Sequence, residues 1–73
     1  MRGFGERLRE ATADKGMYLS ELADAVGVGR WTVYHWADEK FFPNAIKLYQ
    51  ICRVLDVSAD WLLGLEVSDD AEQ

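Results

Sequence analysis

The stretch LADAVGVGRWTVYHW, residues 22–36, decides the fold. Its spacing runs from Ala23 over three residues to Gly27, then over five to Val33, with Leu22, Val28 and Trp36 as flanking apolar positions. Two helices that cross steeply through a tight turn bring their backbones close, so position 23 needs a small side chain. The turn needs a residue that accepts positive φ without strain, which Gly27 does. Val28 and Val33 fill the angle between the helices. The pattern is that of a helix-turn-helix. Within its second helix, Val33 and Trp36 lie three apart and face inward, with Ala37 beside them. Trp31, Tyr34, His35 and Asp38 follow the i, i+3, i+4, i+7 rule on the opposite side. Trp36 is therefore expected in the core, and Trp31, Tyr34 and His35 on a surface.

Outward from this stretch the spacing stays helical, and no β-alternation of useful length occurs. Helices are expected near residues 4–15, 19–26, 30–38, 44–55 and 59–63. Phe4, Leu8 and Ala11 stripe the first, which Gly16 stops. Leu22, Ala23 and Val26 stripe the second. Pro43 breaks the chain after the third, and Asn44 is a good N-cap for the fourth. Leu48, Ile51, Cys52 and Leu55 form its inward stripe. Ser58 caps a last short helix that stops near Gly64. The expected architecture is all-α, a compact five-helix bundle over residues 1–65. Val33, Trp36, Leu48, Ile51 and Leu55 are expected to be buried.

Composition narrows the function. Seventy-three residues make one small domain, near the lower limit for a self-sufficient core, so a partner subunit is expected. One cysteine excludes an internal disulfide, and one Cys with one His cannot complete a zinc site. No metal or cofactor is expected. The opening MRGFGERLRE has no apolar signal-peptide core, and apolar runs are too short to span a bilayer; a cytoplasmic protein is expected. His35 and Cys52 fall on different helices, with Cys52 on a core stripe, so no nucleophile and base come together and an enzyme is not expected. The net charge of −5 is unevenly spread. Residues 66–73, EVSDDAEQ, carry four acids and no base, whereas residues 1–65 carry eight Lys and Arg against nine acids, a net of −1. The acidity thus sits largely in a short tail, expected to be disordered.

FGERLRE, LADAVGVGRWTVYHW, a proline after a short loop, and LDVSADWLLG together resemble the lambda-repressor-like, Cro-type (XRE) helix-turn-helix domains over about residues 4–64. The resemblance implies a sequence-specific DNA-binding regulator of transcription, a bacterial or phage repressor, with its third helix in the major groove. It implies base contacts from Arg30, Trp31, Tyr34 and His35. Arg30 can grip a guanine edge bidentately, His35 can donate to a purine N7 or a phosphate, and Trp31 can meet a thymine methyl. Thr32, Lys40, Asn44 and Lys47 are the implied phosphate contacts. Phe41, Phe42, Ala59 and Asp60 are the implied contacts of a two-fold dimer. The chain departs from the family's usual pattern in three places. Tyr18 and Leu19 replace a Ser or Thr cap and a Gln at the start of helix two. Asp38 and Glu39 replace Asn-Gly after helix three, placing two negative charges near the expected DNA backbone. Thr12 and Ala37 replace an Arg–Glu pair. The first two departures, with the acidic balance, leave a second reading: a protein-binding module, such as an antirepressor, antitoxin or assembly factor, using the aromatic face of helix three.

Overall fold

A computed structural model describes residues 3–65, and all of them lie in helices, turns or short connections. The expected acidic tail, residues 66–73, lies outside the described residues. Five helices follow one another: α1 (Phe4–Asp14), α2 (Leu19–Val26), α3 (Arg30–Ala37), α4 (Ala45–Leu55) and α5 (Ala59–Leu63). They match the expected elements to within a residue at each end. Lys15, Asp38 and Asn44 act as caps rather than as members of their helices.

The starts of α2, α4 and α5 are fixed by local chemistry. The Asn44 side chain accepts from the Lys47 backbone N–H at 2.9 Å, and the Ser58 hydroxyl from that of Trp61 at 3.0 Å. α2 lacks a Ser or Thr cap, but the Glu21 carboxylate accepts the Tyr18 backbone N–H at 2.8 Å, one half of a capping box. The ends are uniform. In all five described helices an N–H beyond the last turn reaches back to a carbonyl five residues earlier: Met17 to Thr12, Val28 to Ala23, Lys40 to His35, Val57 to Cys52 and Leu65 to Asp60. Each such ending carries one residue of positive φ: Gly16, Gly27, Glu39, Asp56 or Gly64.

Phe4, Leu8, Leu22, Val33, Ile51 and Leu62 are fully buried and come from all five helices. Each such side chain contributes about 1.5–3 kcal/mol by leaving water. Trp36, Leu55, Ala11, Ala23, Val26 and Ala37 complete the cluster. One expectation fails in degree: Leu48 packs on the core but is only half-buried. Ile51 and Leu55, four apart, lie along the middle of the inward stripe of α4; Leu48 and Cys52, also four apart, lie along its margin. Thr12, where the resemblance leads one to look for an Arg, is buried, and its hydroxyl donates back into α1, to the carbonyls of Leu8 (3.1 Å) and Arg9 (2.9 Å). The group is satisfied locally, so loss of both members of the usual ion pair leaves no buried charge behind.

Candidate nucleic-acid interface

α3 divides its residues as its period dictates. Val33 and Trp36 enter the core at 0% and 2% exposure, whereas Trp31, five residues before Trp36, is 70% exposed. Arg30 and His35 are exposed beside it, and Tyr34 and Thr32 are half-buried. The Trp31 ring stands edge-on to Tyr34, with centroids 5.5 Å apart and planes at 86°. His35 meets the ring of Phe41 in the same manner, at 5.1 Å and 67°. Arg30, Trp31, Tyr34 and His35 thus share one side of a single short helix, and Phe41 extends that surface into the following loop. Lys40 and Asn44 are exposed on the same loop.

Lys47 is placed differently from the other cations. Its ammonium donates to the Val26 carbonyl at 2.8 Å and to Gln50 Oε1 at 3.2 Å. The positive charge sits at the C-terminal end of α2, where helix carbonyls are left over and the macrodipole is negative. It fastens α4 to the first helix of the helix-turn-helix. Phe42 is likewise engaged within the chain, its ring 5.4 Å from that of Phe4 and perpendicular to it, while 37% of it stays exposed. Ala59 and Asp60, at the start of α5, are exposed.

The acids that follow α3 are not free charges. Arg9 Nη2 donates to Asp38 Oδ1 at 2.8 Å. The Gly5 backbone N–H donates to Glu39 Oε2 at 2.7 Å. Both carboxylates therefore turn to α1. Sequence reasoning missed these two contacts because their partners are 29 and 34 residues away. It also passed over the outer side of α4. Ile46 and Tyr49 are exposed there, and Arg53 donates to the Tyr49 hydroxyl at 3.0 Å with its guanidinium 5.7 Å from the ring centre. Their i, i+3, i+7 spacing was a readable signal. Beside them lies a shallow depression of about 560 Å³ between α4 and the end of α2, lined by Asp24, Val26, Gly27, Tyr49, Gln50 and Arg53 among others.

Cys52 is half-buried, and loss of hydration pushes its thiol up from the ordinary range, away from the reactive thiolate. Among the described residues no group of His, Cys, Asp and Glu is arranged to hold a metal ion, and no helix is long and apolar enough to cross a membrane.

Comparison with known proteins agrees with this fold. The family model of the bacteriophage CI repressor helix-turn-helix domain matches residues 6–67. Among solved structures, the chain is similar to the P22 c2 repressor protein, crystallised in complex with synthetic operator 9T in the presence of Tl+. The TM-score is 0.80 at 27% sequence identity, over 86% of this chain and 96% of that one. No curated protein matches the chain.

Proposed function

The chain belongs to the bacteriophage CI repressor helix-turn-helix domain family, and from that premise we propose that it is a sequence-specific operator-binding repressor that lays α3 in the major groove of double-stranded DNA. The observation that carries this reading is the division of α3: the residues that hold it in the bundle are Val33 and Trp36, and Arg30, Trp31 and His35 are left exposed on its other side. Those side chains suit base edges: a guanidinium for guanine, an imidazole for a purine N7, and an indole face for a thymine methyl. Lys40 and the N-terminus of α4 at Asn44 suit phosphate. Because its operator-bound structural relative is a repressor, DNA is favoured over a protein partner for this surface. The protein works in the cytoplasm, by binding and not by catalysis.

Lys47 is engaged with Val26 and Gln50, and we propose that it keeps those bonds on DNA, with Arg30 and Lys40 as the main cations of this face. Few phosphates are then neutralised, and the salt dependence of binding is shallow. We assign the dimer contact to Phe41, Ala59 and Asp60, with Phe42 shared between that contact and Phe4. Two copies so joined place their third helices about 34 Å apart, one turn of DNA.

The test is a salt titration of binding to a duplex selected from a random library and to random-sequence DNA. Arg30→Ala is expected to cost about 1–3 kcal/mol on the selected duplex and to relax preference at one base pair. Lys40→Ala is expected to weaken both duplexes alike. If neither variant changes DNA binding while both stay folded, the aromatic face belongs to a protein partner instead.

A further inference from the structure

The end of α3 holds a residue that local chemistry does not favour. Glu39 has φ of +61°, in the left-handed region where a side chain carries a steric cost and glycine does not. The corresponding position at the ends of α1, α2 and α5 is glycine, and at the end of α4 it is aspartate, whose short side chain tolerates this conformation better. The bonds of the motif are all made at α3: the Glu39 N–H reaches the Trp36 carbonyl at 3.1 Å and the Lys40 N–H that of His35 at 2.9 Å. A glycine would make them as well. What glycine lacks is the carboxylate.

That carboxylate reaches the start of α1. Gly5 is the second residue of the helix, and its N–H is one of those that a helix leaves without an internal partner. Gly3, at the cap position, has no side chain to receive it, and no side-chain cap bond is made there. Glu39 Oε2 accepts the Gly5 N–H at 2.7 Å, with its negative charge at the positive end of the helix. The approach is close: a Cβ at position 5 would collide with the Ala37 carbonyl oxygen. Four residues along the same side of α1, Arg9 holds Asp38. Two consecutive acids thus tie the last turn of α3 to one stripe of α1, and Lys40 follows directly.

We propose that Glu39 is a positioning residue for DNA recognition: by capping α1 from the end of α3, it fixes the pitch of the reading helix and the direction in which the Lys40–Phe42 loop leaves it. The inference rests on the operator-binding reading and deepens it. A competing account makes Glu39 only a negative charge that repels phosphate, and the two accounts predict opposite effects.

The experiment uses the full chain, a duplex that the wild type enriches from a random library, and a random-sequence duplex. Glu39→Gly removes the carboxylate and relieves the backbone, so the two effects on stability oppose each other. Glu39→Gln keeps an oxygen that can accept from Gly5 but removes the charge. The selected-to-random affinity ratio of E39G is expected to fall by about tenfold, comparable to one lost base-pair reading, with random-sequence binding not reduced; E39Q is expected to keep the wild-type ratio. If E39G melts too low to assay, Glu39→Asn, one methylene shorter and tolerant of positive φ, replaces it in the same comparison. Equal strengthening of both duplexes by E39G and E39Q would establish simple repulsion and overturn the proposal. So would an unchanged ratio in E39G. If the wild type enriches no duplex, the operator-binding reading falls and the proposal with it, an outcome distinct from the other two.

Discussion

Trp31 and Trp36 are the same side chain on the same eight-residue helix, yet one is 70% exposed and the other 2%. Five residues of helix amount to about 140° of rotation from face to face. The inner side of α3 is buried in the core. Val33 and Trp36 enter a core built from every helix, and the carbonyl of Ala37 lies where Gly5 allows no Cβ. The outer side is held only by contacts along the surface, such as Trp31 edge-on to Tyr34 and His35 against Phe41. That leaves most of the Trp31 surface in water. The role of each aromatic is therefore set by its angle on the helix and not by its chemistry.

The sharpest way to break this comparison is at its inner member. Trp36→Ala is expected to destabilise the fold by about 3–5 kcal/mol, as deletion of a large core aromatic does; urea unfolding measures it. A loss well under 1 kcal/mol would mean that the inner side is no better fixed than the outer.

Lys47 sharpens the boundary between the two regions, because by composition it belonged to the outer one and by its bonds to the inner. Lys47→Met is expected to cost about 1.5 kcal/mol, the low end for a hydrogen bond to a charged group, and to leave the salt slope of DNA binding unchanged. If stability instead holds and that slope drops by about one, the ammonium leaves Val26 for a phosphate when DNA arrives. The smallest effect is expected at Trp31. Trp31→Ala should change stability by no more than about 0.5 kcal/mol in the same urea assay. A larger loss would show that the pair with Tyr34 is an outer layer of the core.

Much of this was legible because its causes are local. The Asn44 and Ser58 caps bond N–H groups three residues away, and the glycine stops at 16, 27 and 64 need only their own φ. The stripe of α1, Phe4, Leu8 and Ala11, is buried as its spacing implies. The two sides of α3 follow from the same period. The departures from the family pattern were equally visible, but their meaning was not. Asp38 and Glu39 read as charges beside the DNA backbone; in the structure one pairs with Arg9 and the other caps α1. Leu48 read as buried, but it lies on the margin of its stripe.

The amino-acid sequence alone determined where α2, α4 and α5 start and stop, which side of each helix is apolar, and that Gly27 turns one helix into the next, since all of these depend on residues within about one helical turn of each other. The tertiary structure decided the partners: that Lys47 closes the end of α2, that Phe42 lies against Phe4, and that Glu39 supplies the cap that Gly3 cannot. The physical reason is distance along the chain. Glu39 and Gly5 are 34 residues apart, and no rule of spacing relates them until α1 and α3 have packed closely enough for a carboxylate to reach a backbone N–H.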